Sequence, residues 1–269
     1  MRGTSRASLA AAEERVEPLL GSADGIALAE ELFAVARLLD LSAGLRRALS
    51  DPSREGDAKA DLARRLLADK VSEQTVDVVS GLVRSRWSEG RDVADAAEHL
   101  GVQAALAAAE RDGDLTSVED ELFRFGRLVE GDRELAAALS DRGASAERRT
   151  ELVERLLQDR ARPATVALAR QAVAYPRGRS LADALEAFEK AAARRQQRLV
   201  ARVTAAVPLT EQQRERLAAA LRRVYDHDVL LNVDVDPDVV GGLRVQVGDE
   251  VIDATVVSRL DDARRRLAG

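Results

Sequence analysis

Residues 31–39 read Glu31-Leu32-Phe33-Ala34-Val35-Ala36-Arg37-Leu38-Leu39, and their landmarks return further along the chain without a shift. Glu31-Leu32-Phe33 recurs as Glu121-Leu122-Phe123 and Arg37-Leu38 as Arg127-Leu128. Ala48-Leu49-Ser50-Asp51 recurs as Ala138-Leu139-Ser140-Asp141, Arg65-Leu66-Leu67 as Arg155-Leu156-Leu157, and Thr75-Val76 as Thr165-Val166. All keep one offset of 90, with about a third of the positions identical over this stretch. Gly90-Arg91 then pairs with Gly178-Arg179 after a two-residue deletion. Self-similarity at a fixed period is the mark of a duplicated supersecondary unit, and here the unit is helical.

The helical reading rests on apolar spacing. Leu9, Ala12, Val16 and Leu19 fall on one face of a helix near 5–20, and Leu28, Leu32, Val35 and Leu39 on one near 24–41. A short helix near 43–50 ends at the breaker Asp51-Pro52-Ser53, and helices near 57–69, 72–85 and 91–111 complete the first unit. Gly113-Asp114 separates the units, and Thr116-Ser117-Val118-Glu119 has the pattern of a capping box opening the second. The first helix has no separate counterpart, so the long 91–111 helix is expected to serve both copies.

After residue 199 the period changes from helical to alternating. Val203, Ala205 and Val207 predict a strand ended by Pro208-Leu209, and Thr210-Glu211-Gln212-Gln213 predicts a capped helix carrying Leu217, Leu221 and Val224. Val229, Leu231, Val233 and Val235 make a second strand, and Leu243, Val245 and Val247 a third. Gly248-Asp249 has hairpin composition leading into Val251-Ile252, and Asp253 is placed to cap a last helix with Val256, Leu260, Ala263 and Leu267. The fold class is mainly α with a small α/β C-terminal domain: two repeated helical bundles, then a strand–helix–strand–hairpin–helix module. The expected domains are 1–113 (helical copy one), 114–199 (copy two) and 200–269 (the α/β domain).

Composition narrows the chemistry. The 269 residues are 33% charged with a net charge of −6, and aromatic residues make up only 3%, so Leu, Val and Ala must fill the core. With no Cys and two widely separated histidines, His99 and His227, cysteine-ligated metals, disulfides and thiolate nucleophiles are excluded and His-based sites lack a motif. No window reaches the ~18 apolar residues that a spanning helix needs, and the N-terminal Leu9-Ala10-Ala11-Ala12 run is too short for a secretory leader. The sequence thus predicts no direct membrane insertion.

Each chemical motif has a plainer structural reading. No P-loop is present, and Gly241, Gly242 and Gly248 flank a strand instead of opening a helix, which gives them turn or bulge roles. Asp249, Glu250 and Asp253 are the best carboxylate cluster, yet they read as turn, exposed strand position and helix cap with no reacting partner nearby. An enzyme using them is the competing class of function. His227 reads as a loop residue and Trp87 as packing. The basic run Arg194-Arg195-Gln196-Gln197-Arg198 with Arg202 lacks interleaved aromatics and sits in an acidic chain, so no nucleic acid is expected as partner. No catalytic residue, cofactor or metal is predicted. An RNA-binding adaptor or freestanding helical scaffold is the alternative function.

One feature points to partners. The helix near 72–85 carries Val76, Val78, Val79, Leu82 and Val83, and its repeat carries Val166, Leu168, Ala169, Ala172 and Val173. So wide a stripe means a central helix buried on several sides, or a helix bordering a groove for a partner helix; the pattern by itself favours the first.

The last seventy residues carry a resemblance. Val203-Thr204-Ala205-Ala206-Val207-Pro208-Leu209-Thr210-Glu211-Gln212-Gln213 is similar to a segment of the delta subunit of F-type ATP synthases, a family related to the mitochondrial oligomycin-sensitivity-conferring protein. Val233-Asp234-Val235-Asp236-Pro237-Asp238-Val239-Val240-Gly241-Gly242, Val247-Gly248-Asp249-Glu250-Val251-Ile252-Asp253 and Ser258-Arg259-Leu260 resemble it in the same order. The resemblance implies a noncatalytic stator subunit of the peripheral stalk, on the cytoplasmic face of the bacterial plasma membrane. It also implies as partners the N-terminal helices of the ATP synthase alpha subunits and the far end of the b subunits. By that analogy the fifth helix of the bundle borders the alpha-binding groove, which points to Val76, Val79 and Val83, or to Val166, Ala169 and Val173 in the second copy. The duplication departs from the family's usual single bundle.

Overall fold

The computed structural model describes residues 1, 3–20, 24–141, 143–196, 199–225, 229–236, 239, 242–247 and 250–253. It divides into two compact units, Met1–Gln196 and Gln197–Gly269. The first is all helical: α1 (Gly3–Leu20), α2 (Gly25–Leu41), α3 (Ala43–Ser50), α4 (Gly56–Leu67), α5 (Glu73–Arg84), α6 (Arg91–Arg111), α7 (Leu115–Gly131), α8 (Arg133–Ser140), α9 (Ala146–Leu157), α10 (Pro163–Ala174) and α11 (Leu181–Gln196).

The repeat survives in three dimensions. Helices α2 to α5 and α7 to α10 start and stop at the same offset of 90. Asp69 and Asp159, just past α4 and α9, share the left-handed backbone (φ 59° and 57°) that reverses the chain after those helices. For the last pair the burial pattern follows the deletion: Leu181, Ala184, Leu185, Phe188 and Ala192 of α11 are buried, as are Val93, Ala96, Ala97, Leu100 and Ala104 of α6.

Local chemistry sets the helix ends. The side chain of Asp24 accepts from the backbone N–H of Ala27, Ser42 from Leu45, Asp132 from Glu134 and Leu135, and Ser145 from Arg148. Asp51 folds its carboxylate back onto Ser53 N–H (2.9 Å) and O–H (2.6 Å), which makes the break after α3. The expected capping box at Thr116 is not used. Gly113, at φ +75°, turns the chain so tightly that Asp114 N–H reaches the carbonyl of Ala109 at 2.7 Å, and α7 begins at Leu115. Thr116 therefore lies inside the first turn, where its hydroxyl accepts from Gln196 Nε2 at 2.7 Å.

Helix α6 is the axis of this unit. Of its 21 residues 16 are buried, which only a helix enclosed on all sides can do. Neighbours approach it closely because the contacts are small: a Cβ on Gly101 would lie 2.7 Å from the Phe33 ring, and one on Gly25 would lie 2.7 Å from the Ala104 carbonyl. It packs with α1, α2 and α5 of the first copy and with α7, α10 and α11 of the second. One continuous apolar cluster runs from Ala12 to Ala192.

The second unit contains β1 (Leu199–Ala205), α12 (Glu211–Tyr225), β2 (Val229–Val235), β3 (Leu243–Val247) and β4 (Glu250–Asp253). The sheet order is β2-β1-β3-β4. β1 and β2 run parallel, joined through α12, with Val203 opposite Val233; β3 lies antiparallel to β1, with Val245 opposite Val203, and β4 antiparallel to β3. Ala201, Val203, Val245, Val247 and Leu221 form the small core. The first strand sits earlier than the alternation implied, so Val207 lies beyond it and is 66% exposed. The capping box at α12 is formed: Gln213 N–H donates to Thr210 Oγ1 at 3.3 Å and Thr210 N–H to Gln213 Oε1 at 2.8 Å. The expected last helix, the Gly248-Asp249 turn, Gly241 and His227 lie outside the described residues, as do the side chains of Glu250 and Asp253. Gly242 has φ +82°, in keeping with a turn before β3.

Candidate partner-binding faces

The helices singled out by the wide apolar stripe, α5 and α10, are held by one device used twice. Glu31 of α2 reaches across to the start of α5, where it accepts from Ser72 N–H (3.0 Å), Ser72 Oγ (2.6 Å) and Thr75 Oγ1 (2.5 Å). Ninety residues on, Glu121 of α7 accepts from Arg162 N–H (2.8 Å) and Thr165 Oγ1 (2.6 Å) at the start of α10. A carboxylate at a helix N-terminus satisfies orphan N–H groups and meets the positive end of the dipole. Burial alone would raise the Glu31 carboxyl, but the hydrogen bonds from Ser72 and Thr75 outweigh it and hold the group below its ordinary value.

With the helices so placed, Val79 (1% exposed), Val83 (0%), Ala169 (0%) and Val173 (1%) are turned into the core. Val76 and Val166 are half-buried at its edge. α5 packs with α1, α2, α4 and α6, so a helix buried on several sides describes it. The six residues do not line one common surface. They fall into two triplets at the same repeat positions.

The joint between the copies is polar and buried. Arg177, in a left-handed turn (φ 53°), has a side chain only 5% exposed. Its guanidinium meets Asp40 of α2 at 2.6 Å, Asp95 at 2.6 Å and Glu98 at 3.3 Å on α6. Glu98 also accepts from Gln171 Nε2 (3.0 Å) and pairs with Arg179 (2.8 Å). Arg195 of the basic run is equally committed, to Glu17 of α1 at 2.5 Å and Glu110 of α6 at 2.7 Å. Burial raises the Asp95 carboxyl, and Arg177 and Arg91 only partly offset that. Trp87 is buried and donates to the carbonyl of Leu82 at 2.9 Å, a packing role. His99 Nε2 lies 2.5 Å from Glu13 Oε1.

None of these joints was drawn from the sequence. The signal was present for one: Glu31 and Thr75 recur together as Glu121 and Thr165, which is what a contact repeated with the unit would leave behind. For Arg177 and Arg195 there was no such signal, because neither has an arginine at its counterpart in the first copy.

Among the described residues no group of three or more His, Cys, Asp or Glu side chains is arranged to hold a metal, and no helix is long and apolar enough to cross a membrane. The fold defines the class of the protein as a mainly helical one: a doubled bundle on one buried axis, and a small mixed sheet as the second unit. The family model "ATP synthase delta (OSCP) subunit" matches residues 102–267, from the middle of α6 through the second copy and the sheet unit. The chain belongs to that family. It is 51% identical to ATP synthase subunit delta of Streptomyces griseus subsp. griseus, over all of both chains, and 53% identical to that of Beutenbergia cavernae, again over all of both. The subunit delta of Thermobifida fusca is 48% identical over the same extent. The first hundred residues are thus shared with these relatives, although they lie outside the family model. A chain of the Toxoplasma gondii mitochondrial ATP synthase hexamer is also similar, at 18% identity and a TM-score of 0.28, covering 62% of this chain and 95% of that one.

Proposed function

We propose that this chain is a noncatalytic subunit of the peripheral stalk of an F-type proton-translocating ATP synthase, joining the catalytic head to the stalk so that rotor torque is resisted. Its partners on this reading are the N-terminal helices of the alpha subunits and the far end of the b subunits. It would work at the cytoplasmic face of the bacterial plasma membrane without entering it. The observation that carries the proposal is identity of about half over the whole length of several ATP synthase delta subunits. That relationship favours a stalk subunit over a freestanding scaffold, an RNA adaptor or an enzyme built on the C-terminal carboxylates.

The architecture suits the task. A linker under torque needs stiffness, and α6 provides a buried axis common to both copies. It also needs interfaces that hold: nanomolar binding corresponds to about −12 kcal/mol, and such interfaces bury well over ~1,000 Å². Two linked attachments, one per unit, raise the effective strength further. We assign 1–113 and 114–199 to the two helical copies and 200–269 to the sheet domain. Partner contact lies along α5 or α10. There Val76 and Val166 stand at the accessible edge, while Val79, Val83, Ala169 and Val173 fix the helices from behind.

Copurification is the first test. A tagged chain expressed in its host should bring alpha and b out of solubilised membranes, and recovery without either would reject the stalk assignment. Calorimetry with an alpha N-terminal peptide should show weaker binding for Val76→Glu if copy one is used, or Val166→Glu if copy two is.

A further inference from the structure

One cleft of the helical unit, of about 270 Å³, lies where α2 seats on α10 of the second copy, and its charges cancel. Two acids, Glu30 and Glu147, line it with two bases, Arg37 and Arg170. Glu30 pairs with Arg170 at 2.9 Å, and Arg37 donates to the Tyr175 hydroxyl at 3.2 Å. A larger groove, of about 710 Å³, is walled by α1, α6, α11 and the turn before α11, and there the charges do not cancel.

This groove is a product of the duplication. Gly90-Arg91 of the first copy and Gly178-Arg179 of the second are repeat partners, and both arginines line it, Arg91 from the start of α6 and Arg179 from the turn that leads into α11. Arg194, in the last turn of α11, is a third. Leu9, Val102 and Phe188 supply an apolar wall. Along α6 the lining runs from Arg91 to Val102, which at 1.5 Å per residue is about 16 Å.

The carboxylates of the groove are already engaged. Glu98, with its side chain 10% exposed, is held by Arg177, Arg179 and Gln171, and Asp95, 40% exposed, by Arg177 at 2.6 Å. Arg177 also meets Asp40, and His99 is bound to Glu13. Two arginines at the rim are not so committed. Arg91 is exposed and donates to a neutral acceptor, the Arg177 carbonyl, at 3.3 Å. Arg194 is exposed and has neither a hydrogen bond nor an ion pair among the described residues. Two guanidinium groups without a carboxylate thus stand at the mouth of an apolar-walled groove, in a chain whose net charge is −6.

We propose that this groove binds a small organic polyanion, of the class of a nucleoside polyphosphate, with its phosphates on the rim arginines and its less polar part along the Leu9 and Val102 wall. Guanidinium forks match phosphate oxygens, and the volume falls within the ~300–1,000 Å³ of small-molecule sites. A single inorganic phosphate has the charge but is too short for the groove and leaves the wall bare. A nucleoside triphosphate has the charge, the less polar part and the length together. Bound there, it touches elements of both copies and stabilises the unit that they share. The inference stands apart from the stalk reading, since it concerns the chain without its partners.

The full chain, free of magnesium, is titrated by calorimetry with ATP and, separately, with inorganic phosphate, and is melted in the presence of each. ATP should bind at one site at least about tenfold more tightly than inorganic phosphate, raise the melting temperature and weaken with added salt. Arg91→Glu with Arg194→Glu should weaken ATP binding at least about tenfold at unchanged helical content. Arg194→Gln alone, which removes a charge with no partner, should weaken it about threefold. Arg160→Glu, an exposed charge reversal outside the groove, should stay within about twofold. Absence of binding at millimolar ATP, equal affinity for inorganic phosphate, or ATP affinity undiminished in the Arg91/Arg194 variant overturns the inference and leaves the stalk reading intact. Tighter binding of an oligoglutamate peptide than of ATP, lost in the same variant, would overturn it in favour of an acidic protein segment.

Discussion

Phe33 and Phe123 occupy one position of the repeat, yet the first is 7% exposed and the second 51%. The difference lies in the helix opposite. Phe33 rests on Gly101, and in the second copy Glu189 stands at the matching position of α11. Phe33→Ala should cost about 3–5 kcal/mol in urea unfolding, the range for truncating a buried aromatic. Phe123→Ala should change stability by less than about 0.5 kcal/mol, as surface substitutions do. Gly101→Val adds the converse test. The new side chain must displace the Phe33 ring, and overpacking of this kind costs about 1–3 kcal/mol.

At the scale of elements, the two acid staples decide how the helix hairpins are held. Because the Glu31 carboxyl lies below its ordinary value near 4.5, its contribution is complete above that pH and disappears as pH falls through the lower folded value. Wild type should therefore lose stability more steeply below about pH 4.5 than Glu31→Gln, as read from urea midpoints across an acid series. Asp95 works in the opposite sense. Its raised carboxyl favours the fold most at low pH and less as pH rises through the folded value. The comparison is thus made at Glu31, with Asp95 unchanged in both proteins.

For the molecule as a whole, α6 and the Arg177 and Arg195 ion networks decide whether the copies act as one body. The helical unit, 1–196, should melt in a single transition, with calorimetric and van't Hoff enthalpies equal, because α6 cannot unfold for one copy and stay folded for the other. Arg177→Leu leaves Asp40 and Asp95 without their guanidinium, while Glu98 keeps Arg179 and Gln171. Removing one partner of a fully buried pair costs about 3–5 kcal/mol; with Asp95 partly solvated the loss should fall below that range and lower the midpoint of one transition still shared through α6.

Periodicity and self-similarity by themselves determined the repeat, the approximate helix boundaries of the first copy, the order of the strands along the chain and the capped α12, because these depend on local spacing and end chemistry; the start of the second copy, set by the tight turn at Gly113, was not among them. The resemblance in the tail pointed to the family before any contact was known. Spacing could not say which way a wide apolar stripe faces, since a helix buried on four sides and one bordering a groove share the same pattern. Only the packing decided that Val79, Val83, Ala169 and Val173 point inward, that α2 covers the second copy, and that arginines from the 177–195 region lock it to α1, α2 and α6. Those facts come from residues dozens of positions apart meeting around α6, and no local period records a long-range encounter.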